Sequence, residues 1–267
     1  MQVYKLNNLV KATVIKRPSA LIKTPYVSDI QLEDDIEPHL GHSLSLGCCG
    51  LCEKGAQVYV TPNINVKPGL HCDYTVQLSS NNNTLSESSQ SGTKGALIGI
   101  NPRLAEHIVD NCIKQKLILP EIKTYKRECT VSKDILNTTD TVRYDFGGTL
   151  DNGAPFYLEV KNVPLATNGV AYFPDGYRKK STDTVSPRAL KHIQELMHIK
   201  QNNPTYRCII CYVIQRNDVA QFEISHKDPE YREAVLQAIS AGVEALAIVI
   251  EWLPDGTAIY VKMLPVT

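Results

Sequence analysis

The chain has 267 residues, 43% of them hydrophobic and 21% charged, which is an ordinary composition for a folded protein of one large or two small domains. Its 28 lysines and arginines balance its 28 aspartates and glutamates, so the formal net charge is zero. That balance argues against an obligate, tight nucleic-acid binder with a broadly basic surface, although it is compatible with a local basic groove.

The N-terminal segment shows no sign of export or membrane insertion. The chain begins Met-Gln-Val-Tyr-Lys, without an apolar signal core, and no apolar run approaches the length of a membrane span. We therefore expect a cytoplasmic protein with no membrane partner. In that compartment the eight cysteines are expected to remain thiols rather than form disulfides.

Short strands and turns characterise the first part of the chain. Segments 13–15, 58–60 and 74–78 are rich in β-branched and aromatic residues and are separated by proline and glycine. This pattern predicts a small β-barrel domain over residues 1–78. Residues 79–94 are a polar run rich in serine and asparagine with almost nothing to bury, so we expect an exposed loop or linker there.

Three helix starts are recognisable in the second part of the chain. Asn101, Ser186 and Asp228 each precede a proline, and a polar residue followed by proline is a common beginning of a helix. After the first of these, Leu104 and Ile108 are spaced to lie on one helix face. The sequence therefore predicts three helices, which begin after these three polar residues.

The predicted helices alternate with strands. Residues 208–214 and 245–250 are continuous apolar runs, typical of strands that are covered on both faces. A final hairpin is expected to turn at residues 254–256. Residues 95–267 therefore read as an α/β domain with a mixed sheet.

The most informative segment is 142–161, which reads as two strands joined by a tight turn. The Asp-Asn-Gly sequence between them suits a three-residue hairpin loop, with its glycine in the left-handed conformation. A loop of this length places Asp145 directly opposite Glu159. Opposite side chains lie about 5 Å apart at Cβ, close enough for both carboxylates to reach one cation. A bulge at Gly147-Gly148 would shift this register.

The same hairpin adds a lysine to the two acids. Side chains alternate along a strand, so Glu159 and Lys161 share a face. Two carboxylates and an ammonium group on one wall of a sheet can hold Mg²⁺ and activate a water molecule against a phosphodiester. Glu-x-Lys alone is weak evidence, because Glu121 and Lys123 repeat it and a surface ion pair also explains it. The apolar residues around Glu159 favour a core-like strand, in which buried charges need partners such as a metal ion.

Several motifs in series, over roughly residues 95–265, resemble the sugar fermentation stimulation protein A family. The matching segments are GINPRLA at 99–105, RYDF at 143–146, YLEVKNV at 157–163, AYFPD at 171–175 and KHIQEL at 191–196. The resemblance implies a small N-terminal OB-like β-barrel, followed by a PD-(D/E)XK, restriction-endonuclease-like domain with an α/β (α+β, mixed-sheet) fold.

The resemblance also implies roles for individual residues. Asp145 and Glu159 match the metal-binding acids, and Lys161 matches the lysine that orients the attacking water and offsets charge on the phosphate. Glu128 lies where the family has an earlier glutamate, and it is either a further catalytic metal or water ligand or an exposed strand residue. The implied cofactor is Mg²⁺ or Mn²⁺, as one ion or two.

Other positions are expected to contact nucleic acid. Arg143 and His192 lie within matched motifs, and Arg188 and Lys191 share a face of the second predicted helix. Arginine matches phosphate oxygens well, but a solvated helix face explains Arg188 and Lys191 equally. Asp175 either supports the metal ligands from behind or fixes a turn.

The chain departs from the family in two places. Residues 178–185 are an apparent insertion after the AYFPD motif, so the local substrate contacts of the family need not carry over. In the barrel, the family has a loop of the type His-Cys-Pro-Asn-Thr-Gly. Here the loop from His42 to Leu51 keeps the histidine and a glycine but lacks the polar Asn-Thr centre.

The cysteines of the barrel loop leave three interpretations open. Cys49 and Cys52 form a Cys-x-x-Cys motif next to Cys48, which is typical of plain thiols, a redox pair or part of a zinc site. Cys208 and Cys211 also have this spacing, but on a strand they point to opposite faces and cannot grip one metal. We read those two as core residues.

These residues predict a metal-dependent nuclease that acts on DNA, RNA or both. One alternative is a non-catalytic DNA-binding protein or regulator with the same fold. Another is a zinc- or thiol-dependent module built on the N-terminal cysteines. The intact set of two acids and a lysine favours the enzyme, and the neutral net charge disfavours a pure binder. The oligomeric state stays open, a homodimer included.

Overall fold

The computed structural model describes residues 1–46, 48–64, 71–80, 95–132, 135, 142–174 and 186–267. The strands of the first half are β1 (Gln2–Lys5), β2 (Val10–Lys16), β3 (Val27–Leu32), β4 (His39–His42), β5 (Gln57–Pro62), β6 (Tyr74–Ser80) and β7 (Leu97–Gly99). Those of the second half are β8 (Ile122–Thr130), β9 (Arg143–Leu150), β10 (Pro155–Val163), β11 (Ala166–Thr167), β12 (Val170–Phe173), β13 (Arg207–Ile214), β14 (Gln221–Ile224), β15 (Glu244–Trp252) and β16 (Thr257–Leu264). The α-helices are α1 (Pro102–Lys114), α2 (Pro187–Asn202) and α3 (Pro229–Ser240), and Cys48–Gly50 is a 3-10 turn.

Strands β2 to β6 close into a barrel. β2 pairs antiparallel with β3 and β5, while β3 pairs with β4 and β5 pairs with β6. Parallel pairing of β4 with β6 closes the ring. Val58 and Val60 of β5 both face the interior and are fully buried, because residues two apart on a strand share a face. A five-stranded closed barrel of this kind is OB-like, so the predicted barrel is confirmed.

A mixed sheet forms the second part of the molecule, with the strand order β7-β15-β13-β10-β9-β8. β10, β13 and β15 run parallel, while β9 and β8 add antiparallel strands at one side. β7 pairs both with barrel strand β6 and with β15, so it joins the two parts. A separate small sheet contains β11, β12 and β14.

Each helix begins where the sequence predicts. Asn101 Oδ1 accepts a hydrogen bond of 3.0 Å from the Arg103 N–H, and Asp228 Oδ1 accepts one of 3.0 Å from the Tyr231 N–H. Ser186 precedes α2 without a side-chain cap. α1 packs on one face of the mixed sheet and α2 and α3 on the other, since their residues belong to separate core clusters. None of the described helices is long and apolar enough to cross a membrane.

The two apolar runs form the central strands. Residues 208–214 lie in β13 and residues 245–250 in β15, and both runs are buried over most of their length, as predicted. Cys208 packs in the cluster under α2 and α3, whereas Cys211 packs in the cluster under α1. The two thiols therefore face opposite sides of β13, which confirms that they are core residues.

The β9–β10 hairpin has the predicted register. Phe146 pairs with Leu158, and the ladder is regular across the two glycines where a bulge was the alternative. Gly153 has a φ of +84°, the left-handed conformation that this turn requires. A slip by one residue would move every side chain to the opposite face, so this register decides which residues reach the cavity described below. The final hairpin, β15–β16, also turns where expected, with Gly256 at a φ of +82°.

Two predicted boundaries differ from the structure. β1 falls within the predicted barrel domain but pairs with β16, because Val3 and Leu6 pack in the core of the mixed sheet. Ser79 and Ser80, predicted as linker, instead complete β6 and pair with β7. The rest of the predicted linker, 81–94, lies outside the described residues.

The close packing of β8 on β9 depends on Gly148. A Cβ atom at this position would lie 1.9 Å from the backbone oxygen of Thr124. We expect Gly148→Ala to lower the free energy of unfolding by about 1–3 kcal/mol, because β8 must move to admit the methyl group. Urea unfolding measures this change. The exposed Thr130→Ala on β8 is the control, with an expected change within about 0.5 kcal/mol; equal effects of the two substitutions would contradict the close approach.

Candidate active site

Asp145 lies where the backbone ladder between β9 and β10 ends. The last pair before it is Phe146 with Leu158. One residue further, Asp145 Oδ2 accepts a hydrogen bond of 2.7 Å from the backbone N–H of Val160. The carboxylate thus acts as the acceptor where the next backbone hydrogen bond of the ladder would form. The main chain of β10 therefore fixes the position of the carboxylate.

Glu159 is buried next to it, with its side chain only 5% exposed. Its Oε1 atom accepts hydrogen bonds of 2.5 Å from Lys161 Nζ and of 2.5 Å from His192 Nδ1. Because an ionised carboxylate can only accept, the Nδ1 atom of His192 carries a proton. The other oxygen, Oε2, is buried and has no hydrogen-bond partner among the described residues. One oxygen of the carboxylate is therefore held by two donors, and the other is buried without a partner among the described residues.

The two acids differ in protonation. Burial, together with the negative charge of Glu159, raises the pKa of Asp145 to about 7. Burial also opposes ionisation of Glu159, but the Lys161 ammonium and the His192 hydrogen bond outweigh it and hold the pKa of Glu159 below its ordinary value. Near neutral pH, Glu159 is ionised while Asp145 is near its midpoint. A bound cation would complete the ionisation of Asp145.

A cavity of about 410 Å³ contains these groups. The hairpin, the first turns of α1 and α2, the segment around β12 and the barrel loop all contribute to its walls. Lining residues outside the hairpin include Arg103, Glu106, Arg188, Tyr172, Ser45 and Cys49. The cavity thus brings Asp145, Glu159 and Lys161 together at the junction of the barrel and the mixed sheet.

Glu106 is a cavity residue that the sequence reasoning missed. It lies on α1 and accepts a hydrogen bond of 2.9 Å from Arg127 Nη2. Its negative charge contributes to the raised pKa of Asp145. The only signal in the sequence was its position directly after the GINPRLA motif, early in the first predicted helix. Glu106 is therefore a third acid of the site, held by an arginine of β8.

Glu128 and Arg143 do not reach the cavity. They lie on the neighbouring strands β8 and β9, where the Arg143 Nη1 and Glu128 Oε2 atoms are 3.3 Å apart and both side chains are largely exposed. Neither residue lines the cavity. Glu128 also has a φ of +53°, uncommon for a residue other than glycine. Of the two interpretations of Glu128, the structure favours the exposed strand residue.

The first turns of α2 place three predicted contacts in different surroundings. Arg188 is exposed and lines the cavity. Lys191 is exposed outside the cavity, 3.7 Å from Glu195. His192 is buried, with its ring edge-on to Tyr144 at 6.1 Å between centroids. A buried ring is not available to a phosphate, so we reassign His192 from a nucleic-acid contact to a partner of Glu159.

Two predictions fall on residues that the structure does not describe. Asp175 follows directly after the described segment that ends at Pro174. The apparent insertion 178–185 lies in the same gap. Their expected roles stay predictions.

The donor set fits Mg²⁺ or Mn²⁺. Asp145 and Glu159 offer hard carboxylate oxygens, and a cation would give the buried Glu159 Oε2 the partner that it lacks. Within the described ranges, no group of three or more histidine, cysteine, aspartate or glutamate side chains is arranged to hold a metal. Mg²⁺ commonly binds through one or two carboxylates and keeps several waters, so two acids suffice.

The barrel-loop cysteines do not resemble a zinc site. Cys48, Cys49 and Cys52 are thiols that form no disulfide with another described residue, and the described part of the chain places no third metal-binding side chain with any two of them. Structural zinc takes four ligands. A hydrogen bond from Cys52, assisted by the charge of Arg17, lowers the pKa of the buried Cys48 to about 7 despite its burial. Zinc at this loop is therefore not part of our proposal.

Known proteins resemble the chain in sequence. A family model described as the sugar fermentation stimulation protein RE domain matches residues 103–256. A sugar fermentation stimulation protein homolog of Crocosphaera subtropica is 32% identical over 238 residues, which is 86% of each chain. Another homolog of that name, from Bartonella tribocorum, is 38% identical over 154 residues, 57% of this chain and 58% of its own length.

A solved structure resembles the chain in fold. It is that of SfsA from Pyrococcus furiosus in complex with Ca²⁺, with a TM-score of 0.75 and 21% identity, and the match covers 100% of this chain and 99% of that one. At this identity the likeness concerns the fold alone. It confirms the predicted succession of an N-terminal barrel and an α/β domain with a mixed sheet.

The raised pKa of Asp145 makes stability depend on pH. Between about pH 4 and pH 7 the folded protein keeps a proton on Asp145 that the unfolded chain has lost, so the contribution of Asp145 to stability falls as pH rises through this window. Asp145→Asn stays neutral and escapes this loss. We expect the variant to gain stability over the parent on going from pH 5 to pH 8, by on the order of 2 kcal/mol.

Urea unfolding in chelator at both pH values measures the difference. Asp151→Asn, in the exposed turn of the same hairpin, is the control, and its stability relative to the parent is expected to change little over this range. If Asp145→Asn and the parent kept the same difference at both pH values, Asp145 would have an ordinary pKa.

Proposed function

The chain belongs to the sugar fermentation stimulation protein family, and from its site we propose that it is a metal-dependent nuclease that hydrolyses phosphodiester bonds of DNA, RNA or both. One observation carries the proposal: a buried carboxylate, Glu159, accepts hydrogen bonds from Lys161 and His192 on one oxygen, while its other oxygen is buried without a hydrogen-bond partner among the described residues, in the wall of a cavity that Asp145 also lines. A structural ion pair needs no cavity and leaves no buried oxygen without a partner.

A divalent ion fits this arrangement. Asp145 and Glu159 would hold Mg²⁺ or Mn²⁺, which when bound lowers the pKa of a water molecule and offsets charge on a phosphate. The Pyrococcus furiosus family member is described in complex with Ca²⁺, which like Mg²⁺ is a hard cation that prefers oxygen ligands. That relative supports a cation site in the family.

The remaining residues of the cavity have separable tasks. Lys161 Nζ, held by Glu159, orients the attacking water and stabilises negative charge that grows on the phosphate oxygens. Arg103 and Arg188 supply guanidinium groups that grip phosphate. Buried His192 holds the Glu159 carboxylate in one orientation. This division resembles general phosphoryl-transfer chemistry, in which positioning and electrostatics supply most of the rate.

Cleavage assays test the proposal. Purified protein is incubated with labelled single- and double-stranded DNA and RNA, in Mg²⁺, in Mn²⁺ and in chelator. We expect metal-dependent cleavage that falls at least about 100-fold in Lys161→Ala and Glu159→Gln, since each removes a group that stabilises the transition state. Lys262→Ala, an exposed lysine of β16 outside the cavity, is the control with unchanged activity.

Binding without metal-dependent cleavage would contradict the nuclease. That result would favour the non-catalytic DNA-binding regulator on the same fold. Cleavage that survives Lys161→Ala and Glu159→Gln at the parent rate would point to a contaminating enzyme.

The contact between His192 and Glu159 predicts an effect on cation affinity. His192→Ala removes the donor to Oε1, and we expect it to weaken Ca²⁺ or Mn²⁺ binding by about tenfold or more, because partners that orient a metal ligand have effects of this size. His192→Asn places an amide N–H near the position of Nδ1 and is expected to restore most of the affinity. Isothermal titration calorimetry measures both variants.

Lys191→Ala is the matched control on the same helix turn, since Lys191 lies outside the cavity. Melting temperatures identify any variant that is merely unfolded. Cation affinity that is equal in His192→Ala and the parent would contradict the positioning role.

A further inference from the structure

The barrel forms part of the wall of the candidate active site. Ser45 and Cys49, both in the loop between β4 and β5, line the same cavity as Asp145 and Glu159. The loop is anchored from within the barrel, because the Arg17 guanidinium donates to the backbone oxygens of Ser45, at 3.3 Å, and Leu46, at 2.7 Å. The Arg17 side chain is itself only 3% exposed. This wall is therefore a fixed part of the fold, which limits what can enter the cavity.

Two arginines of the cavity lie at helix starts. Arg103 is in the first turn of α1 and Arg188 in the first turn of α2, where the helix dipoles add positive potential. The positive charge of Arg103 also helps to lower the pKa of barrel residue His42, so Arg103 lies close to the barrel side. Neither guanidinium has an ion-pair partner within the described part of the chain. The cavity thus offers positive charge near the barrel and near α2, in addition to Lys161.

A partly apolar wall stands beside these charges. Tyr172 and Phe173 of β12 and the following Pro174 line the cavity. Tyr172 and Phe173 are half-buried, and Pro174 is buried. The Phe173 ring packs against the ring of Tyr212, with 5.6 Å between ring centroids. Base stacking on an aromatic ring contributes about 1–3 kcal/mol and works with every base. An unpaired base has a surface to pack on here, whereas a paired base presents only its edges.

The size of the cavity limits what it can hold. About 410 Å³ is near the lower end of the range of pockets that take one small molecule. Residues of α1, α2, β12 and the barrel loop line this space, which matches one nucleotide in scale, whereas a base pair brings two.

We infer that the cavity admits one unpaired nucleotide of a strand between the barrel loop and the hairpin, so that the substrate is single-stranded nucleic acid or an unpaired strand end rather than a continuous duplex. This inference rests on the proposed nuclease function. The flanking phosphates lie towards Arg103 and Arg188, and a base packs on Tyr172. In this arrangement Asp145 and Glu159 face one phosphodiester group of a single strand.

A comparison of three oligonucleotides tests the inference with the full chain. The probes are a fluorescent 20-nucleotide single strand, its blunt duplex and the same duplex with an unpaired tail, each with Mg²⁺ for cleavage and with Ca²⁺ for binding by anisotropy. We expect the single strand and the tail to be bound and cut at least about tenfold better than the blunt duplex. A blunt duplex bound or cut as well as the single strand would overturn the inference.

Cavity variants give a second measurement. Arg103→Ala, Arg188→Ala and Tyr172→Ala are each expected to weaken single-strand binding by about three- to tenfold. Lys262→Ala is the control with unchanged binding, and melting temperatures confirm that each variant is folded. Unchanged single-strand binding in all three folded cavity variants would overturn the inference.

The two proposals fail in different ways. Metal-dependent cutting of blunt duplex at the single-strand rate removes the single-strand inference and leaves the nuclease. Absence of cutting for every probe removes the nuclease, and the binding measurements then decide whether the cavity still selects an unpaired strand.

Discussion

The carboxylate of Glu159 is almost fully buried, and a buried charge persists only if neighbouring groups satisfy it. Lys161, two residues along the same strand, and His192, from a helix on one face of the sheet, both donate to one of its oxygens. This arrangement ties β10 to α2 and leaves the second oxygen turned away from both donors. The candidate cation site depends on this arrangement, because a cation shared with Asp145 would contact that second oxygen of Glu159.

The barrel and the mixed sheet are held together by a buried polar network beneath the cavity. Gln215, fully buried at the end of β13, accepts from Trp252 Nε1 at 3.1 Å and donates to Asn162 Oδ1 at 2.7 Å. On the barrel side, Asn101 Nδ2 donates to Gln77 Oε1 at 2.6 Å. Buried polar groups tolerate little displacement, since each lost partner costs about 1–3 kcal/mol. The network therefore keeps the first turn of α1 and the end of β10 in register with the barrel.

The barrel loop departs from the pattern that the resemblance to the family led us to expect, and it is also part of the cavity wall. In place of the expected polar Asn-Thr centre it contains apolar residues and thiols, and Cys48 and Cys49 both adopt left-handed φ angles, of 44° and 52°. Such angles are uncommon for residues other than glycine and are tolerated where surrounding contacts hold them. Earlier in the same loop, Arg17 donates to the backbone oxygens of Ser45 and Leu46. Arg17 therefore anchors the loop whose residues Ser45 and Cys49 line the cavity.

By itself the sequence determined the features that depend on short stretches of chain. The turn before Ala154 set the register of the hairpin, polar residues before proline set the helix starts, and continuous apolar runs identified the central strands. Only the tertiary structure decided that Glu106 faces the cavity, that His192 is buried against Glu159 and that Glu128 points to solvent with Arg143. Local pattern specifies backbone conformation and the alternation of side chains, whereas the surroundings of a side chain depend on which distant segment packs against it.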